Sequence, residues 1–205
     1  TGQTRLVIVS GRWIKSLIPL LGLKAMPEIW GSYGWERASP NGDYSSAPVR
    51  ASTFEALATA EQWVADIERL GARCERKPTA LAFHWRGLAK ERVAEVHSRI
   101  LEKWTTLAAQ QELGWHDFDG GIEFRARGWD KGEGVKAVLA ESGPAGVCAY
   151  RGDDLDDEHA FKAIPDSGLS VLVREQFRPT AADLWIQPPQ EVREFLARWQ
   201  HACAR

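Results

Sequence analysis

The chain has 205 residues, of which 44% are hydrophobic, and its formal net charge at pH 7 is −2. This length allows one or two domains with a substantial core, and the near-neutral charge gives no indication of a nucleic acid or an anionic membrane as a partner. Three scattered cysteines make no metal-site or disulfide pattern, and no apolar run approaches the ~20 residues of a membrane span. We therefore expect a cytoplasmic protein that binds neither nucleic acid nor membrane.

The amino-terminal residues predict the first half of a βαβ unit. Leu6–Val9 is a short β-branched run that ends in the tight turn Ser10-Gly11-Arg12, and Trp13–Leu21 has a helical pattern. A second short strand is predicted around Ile29-Trp30. Ser39–Pro48 is rich in Pro, Asn, Gly and Ser, so we expect a loop there, at the edge of a domain.

A different rhythm follows this loop. Apolar residues at helical spacing run from Phe54 to Leu70, and again from Val93 to Leu107. Short strands are predicted at Ala80–Trp85 and Ile122–Arg125. We interpret residues 50–126 as a compact α+β domain inserted into a core made of residues 1–49 and 127–205.

The parallel α/β pattern resumes after Gly128, which makes the predicted fold class α/β with an inserted α+β domain. The predicted helices and strands here are Lys131–Glu141 (helix), Val147–Tyr150 (strand), Glu158–Ile164 (helix), Leu169–Val173 and Leu184–Ile186 (strands), and Pro188–Trp199 (helix).

An acidic loop follows the predicted strand at Val147–Tyr150. Its carboxylates Asp153, Asp154 and Asp157 repel one another unless a cation or a proton neutralises them. Aspartate oxygens without a nearby Cys or His cluster suit Mg²⁺ better than zinc. Mg²⁺ takes only one or two protein carboxylates, so Asp153 is our first choice. The alternative is an acidic helix start, which the helix dipole also favours.

Two further residues are placed where parallel sheets gather ligands. Ser10 follows a predicted strand, where its hydroxyl could hold a phosphate oxygen or simply cap a helix. Lys131 begins a predicted helix, an unfavourable place for a cation unless an anion lies opposite. The alternative for Lys131 is a solvated surface lysine. We predict that Ser10, Lys131 and Asp153 converge at the carboxyl ends of the core strands.

The inserted domain carries charged residues whose role the sequence leaves open. Glu75 and Lys77 are two residues apart, so they share one face of any strand to which they belong. With Arg86 and Glu123 they form either a binding surface or an ordinary solvated sheet face. His84 alternates with aromatic neighbours, and we expect it to pack in the sheet.

Five segments in order resemble the trehalose-6-phosphate phosphatase family, a branch of the haloacid dehalogenase-like superfamily. They are VIVSGR (7–12), WGSYGWE (30–36), ERKPTALAFHWR (75–86), IEFRARGWDKG (122–132) and RGDDLDDEHAF (151–161). The resemblance implies a Rossmann-like parallel-sheet core with an α+β cap domain. It also implies Mg²⁺-dependent hydrolysis of trehalose 6-phosphate to trehalose and phosphate through an aspartyl phosphate, in the intact form. A trehalose-phosphate synthase is the partner it suggests.

The resemblance also assigns residues. It implies catalytic roles for Ser10 and Lys131 and a metal site at Asp153, Asp154 and Asp157. It implies substrate binding by a larger set: Arg12, Tyr33, Gly34, Glu75, Lys77, Arg86 and Glu123.

The sequence departs from the family pattern in three places. The 205 residues contain no Asp-x-Asp-x-Thr segment, which carries the nucleophile and the general acid/base in the family. Tyr33 stands where His is usual, and Asp156 where Thr is usual. Two alternatives therefore stay open: a catalytically inactive sugar-phosphate-binding or regulatory protein, and a phosphatase for another glycosyl phosphate.

Overall fold

The computed structural model describes residues 4–108, 113–143 and 146–203. The chain divides into two compact units: a core unit, Thr1–Ser45 with Asp130–Arg205, and an inserted unit, Ser46–Trp129. The α/β class with an inserted α+β module is confirmed. In the described residues the strands are β1 (Val7–Val9), β2 (Glu28–Gly31), β3 (Glu36–Ala38), β4 (Tyr44–Ser46), β5 (Arg73–Lys77), β6 (Ala80–His84), β7 (Leu113–Phe118), β8 (Gly121–Ala126), β9 (Ala149–Gly152), β10 (Leu169–Val173) and β11 (Leu184–Ile186). The helices are α1 (Ile14–Leu21), α2 (Ala51–Glu61), α3 (Val64–Glu68), α4 (Lys90–Ala108), α5 (Lys131–Ser142), α6 (Asp157–Ala163) and α7 (Gln190–Ala202).

The core unit contains two separate sheets. One has the order β1-β2-β3-β4, in which β1 and β2 are parallel and β2 and β3 antiparallel. The other has the order β11-β10-β9 and is parallel throughout. The central strand β10 is apolar and its residues Val171 and Leu172 are fully buried, as expected for a parallel strand covered on both faces.

Helix α5 fixes the relative direction of the two sheets. Asp130 caps its amino end by accepting a hydrogen bond from Glu133 N at 2.9 Å. The carboxyl end of β1 lies at this end of α5, because a Cβ on Gly134 would stand 3.3 Å from Val9 Cγ1. Arg5, which precedes β1, instead reaches Val138 O and Ser142 Oγ farther along α5.

Strand β9 ends at the same place. The loop that follows it is bonded to Asp157, and the Asp157 carboxylate accepts a hydrogen bond from Lys131 Nζ, the first residue of α5. Both β1 and β9 therefore run antiparallel to α5 and parallel to each other, with their carboxyl ends at the amino end of α5.

The inserted unit is an antiparallel sheet of order β5-β6-β8-β7 with helices on one face. Its core is aromatic: the Trp104 ring stacks on Phe124 with centroids 4.5 Å apart and also contacts Phe83. All three side chains are buried, along with the apolar face of α4 that carries Val96 and Ile100. This alternation of apolar and polar positions along each strand leaves the opposite face of the sheet polar.

Several sequence-based boundaries were wrong. The helix predicted from Phe54 to Leu70 is two helices, α2 and α3, because the chain unwinds slightly at Gln62 and Trp63 while staying right-handed. The predicted loop at 39–48 contains β4, which pairs with β3 across a turn where Gly42 adopts φ +94°. The strand predicted at 147–150 is β9, two residues later. Strands β3, β5 and β7 were not predicted; the residues of β3 and β5 are largely polar.

None of the helices in the described ranges combines the length and the apolar character that crossing a membrane requires.

Candidate active site

The carboxyl edge of the core sheets brings together the loops that carry three predicted site residues. Ser10 directly follows β1, Asp153 directly follows β9, and Lys131 begins α5, whose amino end borders both strands. Ligands of parallel α/β sheets bind at this edge because the strands end there and the helices begin. This is the arrangement expected from the sequence for the three residues.

Ser10 is built into a tight turn. Its backbone N donates to Trp30 O at 2.8 Å, its carbonyl accepts from Tyr33 N at 2.9 Å, and its Oγ accepts from Arg12 N at 3.1 Å. The hydroxyl oxygen therefore stabilises the turn, and the hydroxyl hydrogen is still available to donate to an anion. The Arg12 side chain next to it is exposed.

The segment after β2 closes against this turn in a conformation that few residues adopt. Tyr33 has φ +63° and is buried, and a Cβ on Gly11 would lie 2.5 Å from the Tyr33 ring. Gly34 has φ +99°, and a Cβ there would lie 3.0 Å from Gly134 Cα at the start of α5. Only glycine combines that dihedral angle with so close an approach. The tyrosine that replaces the family's usual histidine thus packs over the Ser10 turn.

Glu36 holds this region together, and the sequence analysis gave it no role. It is fully buried, and its Oε1 accepts hydrogen bonds from Ile14 N at 2.8 Å and Ser32 Oγ at 2.7 Å. Its Oε2 accepts from Tyr44 Oη at 3.1 Å. One carboxylate thereby joins the start of α1, the strained turn before Tyr33 and strand β4. The signal in the sequence that could have pointed to Glu36 was its position at the end of the WGSYGWE segment.

Asp157 is the centre of the acidic loop. Its Oδ1 accepts from Lys131 Nζ at 2.7 Å and Tyr150 Oη at 2.6 Å, and its Oδ2 accepts from the backbone N of Asp153 at 2.9 Å and of Asp154 at 2.8 Å. These four bonds use the lone pairs that a metal ion would need. Asp157 shapes the loop and fixes Lys131, and the metal role expected for it from the sequence stays a prediction.

The charge state of Asp157 follows from these contacts. Burial alone would raise the pKa of this carboxyl, but Lys131 and the donated hydrogen bonds outweigh it and hold the pKa below its ordinary value. The same pair acts on Tyr150, whose pKa is raised by burial and by the negative charge of Asp157. At neutral pH the site therefore contains an ionised Asp157 and a protonated Tyr150.

Asp153 is the carboxylate best suited to a cation. Partial burial and the negative charge of Asp157 raise its pKa, so the fold holds an acid that a positive charge would stabilise. Asp154 differs, because its Oδ1 accepts from Leu155 N at 2.7 Å. Within the described ranges no cluster of three or more His, Cys, Asp or Glu side chains is arranged around a common metal position. Mg²⁺ needs only one or two protein carboxylates because it keeps several of its water ligands, so this loop is compatible with that ion.

The helix that follows the acidic loop is anchored on both sides. Glu158 accepts hydrogen bonds from Arg178, from Thr180 Oγ1 at 2.8 Å and from Ala181 N at 2.7 Å. His159 Nδ1 lies 3.0 Å from Oδ2 of Asp130, the cap of α5. These contacts hold α6 against α5 and keep the loop between them in place.

The inserted unit places three of its four predicted residues on one sheet face. Glu75 and Glu123 both lie opposite Ala82 in the sheet register, and Lys77 Nζ donates to Glu123 Oε1 at 2.6 Å. Arg86 lies apart from them: it follows β6, its side chain is 77% exposed, and it contacts Asp119. The alternative interpretation, an ordinary solvated sheet face, is wrong for Lys77 and Glu123, because their side chains are only 9% and 1% exposed.

Two neighbours on this face were not predicted. Arg125 is buried and its Nη1 lies 3.4 Å from Glu123 Oε2. His84 Nε2 lies 3.0 Å from Glu75 Oε2 and its ring packs edge-on against Phe118. The spacing of two residues between Glu123 and Arg125 was a signal for a shared strand face. Burying these ionic groups costs desolvation energy, and their pairing offsets part of that cost.

Comparison with known proteins agrees with this geometry. The family profile described as trehalose-phosphatase matches residues 1–184. The chain belongs to the trehalose-phosphatase family. It is 32% identical over 214 residues to a trehalose-phosphate phosphatase of Mycobacterium marinum, covering 96% of this chain and 52% of that protein. The chain thus spans about half the length of the curated relatives it matches.

Solved structures share the fold. A trehalose-6-phosphate phosphatase related protein superposes with a TM-score of 0.76 at 21% identity, covering 98% of this chain and 82% of that one. The carboxyl-terminal domain of a Candida albicans trehalose synthase regulatory protein superposes with a TM-score of 0.70 at 14% identity, covering 94% and 80%. The family and the haloacid dehalogenase-like fold, both expected from the sequence, are confirmed.

Proposed function

We propose that this chain provides the phosphate-holding and sugar-reading parts of a Mg²⁺-dependent phosphatase that hydrolyses trehalose 6-phosphate. The observation that carries the proposal is the Lys131 ammonium, fixed by the buried Asp157 carboxylate at the carboxyl edge of the core sheets. A cation held at this edge beside a hydroxyl donor is suited to a phosphoryl group, whose charge spreads over three oxygens. Family membership supports the substrate class.

Each residue has a distinct part in the proposed reaction. Lys131 neutralises charge on the phosphoryl oxygens and Ser10 Oγ donates a hydrogen bond to one of them. Asp153 is the carboxylate that would hold Mg²⁺, which when bound would supply further charge neutralisation at the phosphoryl group. Asp157, which also accepts a hydrogen bond from Tyr150, keeps Lys131 oriented. The aspartate that attacks phosphorus in the family belongs to an Asp-x-Asp-x-Thr segment, and these 205 residues contain no such segment.

The sugar is proposed to be read by the inserted unit. Glu75, Lys77, Glu123 and Arg125 present carboxylate acceptors and cationic donors on one strand face, and a sugar needs many paired donors and acceptors. Because the charged partners already bond one another, they are pre-organised and lose little entropy on binding. Arg86 is exposed and bonded elsewhere. Its inclusion in the sugar-binding surface is an extension of the same proposal.

The experiment joins an Asp-x-Asp-x-Thr strand from a family member to the chain and measures phosphate release. Release from trehalose 6-phosphate that requires Mg²⁺ and falls about 100-fold or more in Lys131→Ala is the expected result. Lys162→Ala, an exposed lysine of the same charge on α6, is the matched control and should keep full activity. Equal rates for Lys131→Ala and Lys162→Ala would contradict the role of Lys131.

A regulatory protein that binds the sugar phosphate without turnover is the second candidate, and the similarity to a regulatory-protein domain favours it. Calorimetry on the 205-residue chain separates the two. Binding of trehalose 6-phosphate by the chain, together with no turnover after the strand has been joined to it, would favour the regulatory role. A panel of glycosyl phosphates then tests the substrate, since Tyr33 replaces the family's usual histidine.

A further inference from the structure

Two arginines of the segment between β10 and β11 contact the acidic loop. Arg174 Nη1 donates to Asp153 O at 3.0 Å, and Arg178 Nη2 donates to Asp154 O at 2.8 Å. Both acceptors are backbone carbonyl oxygens, so these two bonds do not use the carboxylates of the aspartates. We call Arg174 and Arg178 the arginine pair.

Each backbone polar group of Asp153 and Asp154 has a charged partner. The two N–H groups donate to Asp157 Oδ2, at 2.9 Å and 2.8 Å, and the two carbonyl oxygens accept from the arginine pair. Hydrogen bonds in which one partner is ionised are roughly twice as strong as neutral ones. The path of the backbone at these two residues is therefore fixed by one buried anion and two cations.

The loop needs such partners because its acids repel one another. Asp153, Asp154, Asp156 and Asp157 lie within five positions of sequence, and like charges at this separation favour a more open loop. The two guanidiniums place positive charge beside these acids and offset part of the repulsion.

Arg174 reaches the loop from a fixed segment of chain. Leu172 of β10 pairs with Gly152 of β9, so Arg174 and Asp153 leave neighbouring parallel strands at the same edge of the sheet. The backbone carbonyl of Arg174 accepts a hydrogen bond from Trp185 Nε1 of β11 at 2.9 Å. The strand order β11-β10-β9 thus supports the bond from Arg174 to the loop.

Arg178 joins the loop to the helix that follows it. Its Nη1 donates to the Glu158 carboxylate of α6 and to Pro179 O at 3.1 Å, while Nη2 bonds Asp154 O. The Arg178 side chain is 16% exposed. Because these bonds are largely shielded from water, removal of the guanidinium leaves acceptors without a partner and without easy access to solvent.

We propose that Arg174 and Arg178 are positioning residues, which fix the backbone of the acidic loop and thereby hold the Asp153 carboxylate ready for a divalent cation. Side chains that orient a metal-binding carboxylate typically change metal affinity by about 10- to 100-fold when they are removed, although they do not touch the ion. The inference rests on the proposed function, because it takes Asp153 as the carboxylate that would hold Mg²⁺.

Charge and position predict opposite effects on the cation. A guanidinium near a cation site repels the ion, so by charge alone its removal tightens Mg²⁺ binding. If the arginine orients the loop, its removal weakens Mg²⁺ binding. The direction of the change therefore distinguishes a positioning residue from a nearby surface charge.

The first measurement is amide hydrogen exchange, followed by NMR on the 205-residue chain without metal. The amides of Asp153 and Asp154 should exchange about tenfold faster in Arg174→Ala and in Arg178→Ala, because the loop opens more readily. Amides of β6 in the inserted unit should not change. Arg198→Ala, which removes an exposed arginine of α7, is the matched control and should leave the loop amides unchanged.

The second measurement is calorimetric titration with Mg²⁺, on variants whose folding has been checked by circular dichroism. The Kd should rise about tenfold in Arg174→Ala. Arg174→Lys keeps a donor and the charge, so it should return the Kd to within about threefold of the unmodified value. Arg198→Ala should bind Mg²⁺ as the unmodified chain does. Because Arg174 is only partly buried, its variants decide the question even if Arg178→Ala does not fold.

Three outcomes would overturn the proposal. They are unchanged exchange of the loop amides in Arg174→Ala, Mg²⁺ binding by Arg174→Ala that is as tight as in the unmodified chain or tighter, and no recovery in Arg174→Lys. Absence of Mg²⁺ binding by the unmodified chain would contradict the metal site of the proposed function. The exchange rates are measured without metal, so they would still decide whether the arginine pair fixes the loop.

Discussion

Asp157→Asn is expected to destabilise the chain strongly, although the change replaces one oxygen by nitrogen. Asp157 is 2% exposed and its carboxylate takes four donors, one of them the Lys131 ammonium. An asparagine offers one acceptor oxygen and turns an NH₂ group toward donors. About two of the four donors lose their acceptor, at about 1–3 kcal/mol each, and a lysine is left without its buried counter-charge.

The sum is a loss of about 3–4 kcal/mol in the free energy of unfolding. For a chain of this length each kcal/mol lowers Tm by about 2–4 °C, so the melting temperature should fall by about 10 °C. Urea titration followed by circular dichroism, together with calorimetry, measures both quantities. Asp166→Asn is the matched control, because this aspartate is exposed in the turn after α6 and its loss should change stability by less than about 0.5 kcal/mol.

A double-mutant cycle with Lys131→Met tests the cause. If the charge pair dominates, the second substitution costs much less in Asp157→Asn than in the unmodified chain, with a coupling of about 1–3 kcal/mol. A loss below about 1 kcal/mol for Asp157→Asn, or additive effects in the cycle, would refute the assignment of Asp157 as the carboxylate that organises the loop.

Four further predictions follow from single residues. The pKa of Asp157 is lower in the folded chain than in the unfolded chain, so the ionised carboxylate stabilises the fold above the unfolded pKa and this stabilisation is lost as pH falls through the folded pKa. Below about pH 4 the melting temperature should therefore fall more steeply with pH in the unmodified chain than in Asp157→Asn. Asp153 has a raised pKa, so Asp153→Asn should slightly stabilise the chain at pH 7, by less than about 0.5 kcal/mol in the free energy of unfolding for this solvent-screened group. The same substitution should abolish the Mg²⁺-dependent rise in Tm expected of the unmodified chain. An undiminished Mg²⁺ effect would remove Asp153 from the metal site. Glu36→Gln should cost about 1–3 kcal/mol in urea titrations, since its carboxylate accepts two buried hydrogen bonds and a third from the exposed Tyr44 hydroxyl, and a neutral result would show that those bonds do not hold the turn. Trp104→Ala should cost about 3–5 kcal/mol in the same measurement, whereas Trp115→Ala, on a 39% exposed side chain, should cost far less.

The sequence by itself was sufficient for the features that depend on neighbouring residues. Apolar runs and turn residues predicted β1, β10 and α5, and hydrophobic spacing predicted the helical segments of the inserted unit. The order of five short segments was sufficient for the family. Short polar strands such as β5 escaped prediction, because their pairing partners, and not their own composition, make them strands.

The same distinction applies to the candidate active site: some of its features could be predicted from the sequence and others could not. The sequence placed Ser10, Lys131 and Asp153 after strands or at helix starts, and the topology of a parallel sheet brings such positions to one edge. It ranked Asp153 first among the acids of the loop, but it gave no sign that Asp157 fixes Lys131. Only the tertiary structure shows that Asp157 is surrounded by four donors and that Glu36 joins three segments.

What the tertiary structure alone decided is the pairing of distant residues. The acidic loop meets Lys131 across 26 positions of sequence, and strands β1 and β9 form the two walls of one groove although they are far apart along the chain. Sequence patterns report the local preferences of a segment for a helix, a strand or a turn. Which carboxylate is saturated with hydrogen bonds depends on contacts made only when the chain has folded, because those contacts join residues that no local pattern connects.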